Sequence, residues 1–381
     1  MKILQLISSS GPYGAESMVV ALTRELNARG CDCRLMLIEN RHRRDPQVSA
    51  LAARHGVMPE ALPCRGRWDG QAIRRLRSYL CEEGIEVLHA HGYKARLFAW
   101  RAARGLTVRL ATTCHGFVHD TLALKIYDRM DRWTLRRFPR VAAVSDDMSR
   151  QLREYGISSA ALSTIANGVD LDRFRDAQPT LRAELNPPGP LLGAVGRLSP
   201  EKGLDGLLHA AAELAARFPE VRWALVGDGP QRGALEQLTS KLGIADRVIF
   251  TGRREDMPGV YASLDALLLP SLDEGLPMVV LEAMAAGRPV LASRVGAIGH
   301  VIRDGENGLL APPGDVEALR GAIERLLAEP GLGARLGAAA RATIEDRFSA
   351  AQMAAAYLQL YGDMNLSRAQ EPFPAAIGAI R

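Results

Sequence analysis

Short, almost uninterrupted runs of Val, Leu, Ile and Ala recur along this chain, each followed by a longer stretch of helical period. Strands are expected at 3–7, 34–39, 86–91, 108–113, 141–144 and 162–165, with a weaker one near 57–62. A second series follows at 191–195, 223–226, 248–251, 266–269, 290–292 and 307–310. The runs are apolar throughout rather than alternating, so the strands belong to parallel sheets covered by helices on both faces. Helices are expected from about 16 to 29, at 69–83 and 119–137, and, to end the chain, at 315–328, 332–346 and 350–361. The composition turns to Pro, Asn and Gly around 176–190, which reads as a linker between two α/β domains.

One stretch of the second series organises the reading: Pro270-Ser-Leu-Asp-Glu274-Gly-Leu-Pro277, followed by an apolar helix that Gly287 and Pro289 close. Pro277 is suited to the first helical position, where φ is preset and the missing N–H is not needed. The loop then brings the N–H groups of Gly275, Leu276 and Met278 to the positive end of a helix, which favours an anion. Glu274 and Glu282 flank that place. Two carboxylates beside an anion site make sense when the ligand also carries hydroxyls that need acceptors, as a nucleotide sugar does.

The other polar loops fall on the same edge. Gly14, His91, His115, Asn167, Arg197, Lys202, Gly227 and Glu274 each lie just after the carboxyl end of an expected strand, where open α/β sheets bind ligands. With two such domains, a cleft between the two edges is the expected site.

Length and charge refine this picture. At 381 residues the chain has room for two cores. No apolar run approaches the roughly 18–20 residues that span a bilayer, and the first residues read as a strand rather than a signal peptide. Five cysteines without a C-x-x-C pair fit reduced thiols of a cytoplasmic protein. Residues 1–180 carry 28 Lys+Arg against 19 Asp+Glu, whereas the whole chain is only +5. A basic first half is expected to meet an anionic partner, and its arginines have few interleaved aromatics. That favours a membrane surface or a phosphorylated acceptor over nucleic acid.

In order along the chain stand Gly-Ala-Glu from Gly14, His-Ala-His-Gly at 89–92, Cys-His-Gly at 114–116 and Asn-Gly-Val-Asp at 167–170. Gly-Arg-Leu-Ser-Pro-Glu-Lys-Gly at 196–203, Gly-Asp-Gly-Pro at 227–230 and E-x7-E at 274–282 complete the set. Each is weak alone. Together, over residues 1–362, they resemble the family 4 glycosyltransferases. The resemblance implies a GT-B fold, two Rossmann-like doubly wound α/β domains facing across an interdomain cleft. It implies an acceptor-binding domain at 1–180 and a nucleotide-sugar-binding domain at 181–347. A helix at 348–362 would cross back to the first domain, and 363–381 would be a disordered tail.

The resemblance further implies transfer of a sugar from a UDP- or GDP-linked donor with retention of configuration, and no metal or other cofactor. Arg197 and Lys202 would neutralise the diphosphate. Glu274 would hold hydroxyls of the donor sugar and Glu282 the ribose. Gly14, Asn167, Gly196, Gly227, Gly229, Gly275, Leu276 and Pro277 would line the donor site, and His115 would contact the transferred sugar. Tyr13, where the family often has glycine, and His91 would support the acceptor side. The acceptor would be lipid-linked or a glycan, in envelope or exopolysaccharide synthesis. The protein would then be cytoplasmic, peripheral on the inner face of the cytoplasmic membrane.

Other readings have less support. A dehydrogenase needs glycine where Ser9 stands. A metal hydrolase built on His89, His91, His115 and His119 lacks a completing ligand set. A nucleotide-sugar epimerase, or a non-catalytic binding protein of the same fold, remains the alternative.

Overall fold

The computed structural model describes residues 1–8, 14–40, 46–66, 69–115 and 131–364. These divide into two compact units, one of residues 1–165 with those from Ala354 onward, the other Ala166–Met353.

The first unit is a seven-stranded sheet of β1 (Lys2–Ile7), β2 (Asp32–Asn40), β3 (Glu60–Cys64), β4 (Val87–His91), β5 (Arg109–Cys114), β6 (Arg140–Ala143) and β7 (Leu162–Thr164). Their order is β3-β2-β1-β4-β5-β6-β7, every pair parallel. Strand order reverses between β1 and β4, the crevice where doubly wound sheets take ligands. The apolar runs become strands because both faces are covered: Leu4, Leu6, Leu88 and Ala90 pack beneath Leu76, Phe98 and Leu152 of three helices, and Ile3, Ile7, Val87 and His89 on the opposite face are buried as well. Gly14 is the first residue of the helix Gly14–Ala28. Tyr13, Gly116 and His119 lie outside the described residues, as do 119–130 of the expected helix at 119–137 and the tail from 365.

The second unit repeats the plan with β8 (Leu191–Val195), β9 (Arg222–Val226), β10 (Val248–Gly252), β11 (Ala266–Leu269), β12 (Val290–Ser293) and β13 (Leu309–Ala311). The order β10-β9-β8-β11-β12-β13 is again parallel, with its reversal between β8 and β11. Leu192, Leu225, Leu268 and Leu291 form its core with Leu207, Leu208 and Ile323.

Two expectations are corrected. The Pro- and Gly-rich run at 176–190 is part of the second unit and not a linker, so the division falls near 165 rather than 180. Residues Thr180–Leu185 form a helix whose Leu181 is fully buried, and Arg182 donates to the Ser263 carbonyl and pairs with Asp265. Those contacts outweigh the local composition. Pro277 is extended, with φ −73° and ψ 126°, and caps a helix that starts at Met278 rather than occupying its first turn. At the far end, the helix Ala350–Gly362 passes from one unit to the other between Met353 and Ala354.

Candidate functional site

The carboxyl ends of β8 and β11 assemble the polar loops of the second unit. The chain leaves β8 at Gly196, turns through Arg197 and Leu198, and makes a single 3-10 turn, Pro200–Lys202. Gly203 ends that turn at φ +60°, packed so closely that a Cβ there would lie 2.3 Å from the Pro270 carbonyl oxygen. Only glycine fits. The contact binds the two loops, and the Leu272 N–H donates to the Glu201 carbonyl at 2.8 Å.

Lys202 Nζ consequently reaches Glu274 Oε1 at 2.6 Å, and the same oxygen accepts from Ser271 Oγ at 2.8 Å. Arg197 is exposed, and with Gly196, Lys202 and Pro270 it lines one pocket at the strand-order reversal. Among the residues expected to hold the diphosphate and the donor sugar, Lys202 therefore shares a pocket with Arg197 and is hydrogen-bonded to Glu274.

Gly227 follows β9 at φ +137°. A Cβ there would stand 1.8 Å from the Gly196 carbonyl oxygen, so the two strand-end turns lie backbone against backbone. Leu198 N–H donates to Asp228 O at 3.1 Å, and the Gly229 N–H is held by Asp228 Oδ1 at 2.8 Å. The Asn167 amide donates to Leu276 O at 3.4 Å, and the Ala297 N–H to Gly275 O at 3.0 Å, which fixes the loop that precedes Pro277.

Glu282 lies in the second turn of the helix Met278–Ala285 and is buried. Tyr261, itself fully buried, donates its hydroxyl to Glu282 Oε2 at 2.8 Å. Burial raises the pKa of this carboxyl, against which the tyrosine hydrogen bond and nearby Arg173 act. Sequence reasoning missed Tyr261. It lies 21 positions before its partner, and nothing local marks it.

In the first unit, β4 and β5 carry a chain of buried polar groups. His91 Nε2 meets Gln5 Oε1 at 2.8 Å, and His91 Nδ1 meets His115 Nε2 at 3.1 Å. His89 contacts the Tyr361 hydroxyl at 2.7 Å and Thr113 Oγ1 at 2.9 Å, and Thr113 in turn meets Tyr357 at 2.7 Å. Burial pulls His89 and His115 down to about 3 and His91 well below its ordinary value. Arg96 repels the charged forms of the last two. All three are therefore neutral imidazoles at neutral pH. Arg96 is itself buried in a pair with Asp131. Gln5, a lone polar residue within an apolar strand, was the visible signal for this chain. Tyr357 and Tyr361, four apart on the last helix, were a second.

No group of three or more His, Cys, Asp or Glu among the described residues could hold a metal ion. No described helix is long and apolar enough to cross a membrane. Several arginines of the basic half serve the fold: Arg77 holds the carbonyls of Ala102 and Arg104, Arg136 that of Tyr155, and Arg140 that of Ala160.

Two family models match: Glycosyltransferase Family 4 over residues 12–173 and Glycosyl transferases group 1 over residues 189–329. The chain is 37% identical over 286 residues to a GDP-mannose-dependent alpha-(1-6)-phosphatidylinositol monomannoside mannosyltransferase of Mycolicibacterium smegmatis. That match covers 70% of this chain and 74% of the relative. It is 34% identical over 220 residues to 2-deoxystreptamine glucosyltransferase of Streptomyces kanamyceticus, which is 55% of this chain and only 57% of that protein. The crystal structure of Anabaena HepE in complex with UDP-glucose aligns with a TM-score of 0.83 at 25% identity, covering 96% of this chain and all of HepE. With both of its α/β units accounted for by these matches, the chain belongs to the family 4, group 1 glycosyl transferases of GT-B fold.

Proposed function

We propose that this protein is a retaining glycosyltransferase that moves a sugar from a UDP- or GDP-linked donor to a hydroxyl of a lipid-linked or glycan acceptor, without a metal ion. The observation that carries the reading is the convergence of Arg197, Lys202 and Glu274 at the β8/β11 reversal. Two cations beside a carboxylate suit a diphosphate joined to a hydroxyl-bearing sugar.

On this reading Arg197 and Lys202 neutralise the charge that grows on the leaving diphosphate, one as a planar fork and the other as a point charge. Before the donor arrives, Glu274 partners the lysine. Once the diphosphate competes for Lys202, Glu274 turns its acceptor capacity to the sugar hydroxyls. Glu282 accepts from the ribose with the oxygen that Tyr261 leaves open. Retention follows from front-face attack, with the leaving phosphate taking the acceptor proton and no enzyme nucleophile required.

The relatives support this choice of donors: HepE was crystallised with UDP-glucose, and the mycobacterial relative is GDP-mannose-dependent. That relative's phosphatidylinositol mannoside acceptor supports a lipid-linked substrate here, and with it work at the inner face of a membrane in envelope or exopolysaccharide synthesis. Salt-sensitive sedimentation of the protein with anionic vesicles checks that location.

Arg197→Ala should cut turnover by about 10²-fold or more, as expected for loss of a leaving-group stabiliser. Turnover that survives the substitution overturns the diphosphate assignment. A thermal-shift panel of UDP, GDP, ADP and their sugars identifies the donor. Incubating that donor alone separates transfer from epimerisation, since an epimerase changes the donor with no acceptor present.

A further inference from the structure

The buried chain on β1, β4 and β5 has a direction, and following its protons fixes the state of the group at its end. The Gln5 amide is anchored on its nitrogen side, where Nε2 donates to the Tyr361 hydroxyl at 3.3 Å and faces Cys33 Sγ at 3.8 Å. The Tyr361 hydroxyl, which accepts from Gln5, donates its own hydrogen to His89 Nδ1, and neutral His89 then carries its hydrogen on Nε2 and donates to Thr113 Oγ1. The amide oxygen of Gln5 is thereby turned towards His91. A carbonyl oxygen only accepts, so His91 Nε2 carries a hydrogen. A neutral imidazole has one N–H, so His91 Nδ1 is an acceptor, and the proton between the two rings sits on His115 Nε2. His115 Nδ1 is left as a bare lone pair. It is buried and has no hydrogen-bond partner among the described residues, a costly state unless something supplies a donor.

We propose that Gln5 and His91 are positioning residues that lock His115 in its Nε2–H tautomer, so that Nδ1 offers a fixed lone pair to a hydroxyl of the bound sugar. The second half rests on the glycosyltransferase reading. The first half does not. The chemistry selects the ligand group: a neutral acceptor nitrogen takes an O–H donor and rejects a phosphate or carboxylate, which has no hydrogen to give. It also excludes His115 as a general acid at neutral pH. The last helix takes part through Tyr361, because turning the Gln5 amide round would reverse every bond from Thr113 to His115.

The test is a two-bond 15N–1H correlation spectrum of the full-length chain labelled at histidine, with the His115 signals assigned by their loss in His115→Gln. The expected pattern is a protonated Nε2 and an unprotonated Nδ1. His91→Leu removes the acceptor and should let the proton redistribute to Nδ1, whereas His91→Asn, which keeps an acceptor oxygen in place of Nδ1, should restore the original pattern. Gln5→Leu should act as His91→Leu does, and serves if that variant does not fold. A protonated Nδ1 in the unaltered protein overturns the proposal, as does a tautomer indifferent to both leucine variants. The functional half is read from affinities for UDP-glucose and GDP-mannose against UDP and GDP. His91→Leu should weaken the sugar nucleotide that binds by about 3- to 10-fold, the range of one lost hydrogen bond, and leave the matching free nucleotide unchanged. If the tautomer moves and that difference does not, the relay stands and the sugar-hydroxyl contact falls.

Discussion

Acid should unfold the first unit at a pH where most proteins are near their most stable. His89 is fully buried and held at about 3 by desolvation, so the folded chain keeps it neutral, while the unfolded chain protonates it near the ordinary value of 6.5. Its depressed folded value means that the unfolded state binds more protons throughout that window, so stability is full above about 6.5 and falls with pH towards 3. Between pH 7 and pH 5 an unfolded imidazole gains most of one proton, which costs the folded state about 2 kcal/mol per histidine. His115, also at about 3, adds a similar amount, and His91 acts in the same direction. The combined loss is at least about 4 kcal/mol, a large part of the 5–15 kcal/mol that usually holds a domain. The groups that face these rings reinforce the sign: Arg96 opposes protonation of His91 and His115, Asp131 is already paired with Arg96, and Tyr357, Tyr361, Cys33 and Cys114 are neutral because burial raises all four. Urea unfolding at the two pH values, followed by tryptophan fluorescence in a Trp223→Phe background that leaves Trp68, Trp100 and Trp133, measures the change. His89→Met should flatten the dependence by about 2 kcal/mol. A total change below about 1 kcal/mol would refute the reasoning, since even one neutral buried imidazole requires more.

Two further predictions concern the second unit. Gly227→Ala sets a methyl 1.8 Å from the Gly196 carbonyl oxygen at φ +137°, a backbone clash that no rotamer relieves. It should lower the melting temperature markedly and abolish nucleotide-induced stabilisation, with a cost above about 4 kcal/mol; a thermal melt with and without UDP or GDP reads both. Tyr261→Phe removes the hydroxyl that donates to Glu282 and should raise the donor KM by about 5- to 100-fold while kcat changes little, the cost of loosening a buried carboxylate. The loss should grow as pH falls, because burial already raises the Glu282 pKa and the missing hydrogen bond raises it further. Steady-state kinetics from pH 5.5 to 8 decide the matter, and an unchanged KM across that range would remove Tyr261 from the site.

The sequence made the strands legible because parallel strands buried on both faces need unbroken apolar runs, and β8 or β11 has no polar residue to mislead. The same rhythm put Gly196, Gly227 and Glu274 on one edge before any contact was visible. Composition misled at 176–190. Proline and glycine break secondary structure, but Leu181 and the Arg182–Asp265 pair bind that stretch to the second unit all the same. Local signals also misplaced Pro277 by one residue, since its preset φ serves a cap as well as a first turn. What stayed hidden was of one kind: partners distant in sequence, such as Tyr261 for Glu282 and Tyr361 for His89. A motif marks a residue by its local sequence, whereas the group that fixes its protonation and orientation sits behind it on another element. Those hidden partners govern chemistry as much as the motif does. His115 without Gln5 and His91 would be free to present either nitrogen, and Glu282 without Tyr261 would be a buried acid with every reason to protonate.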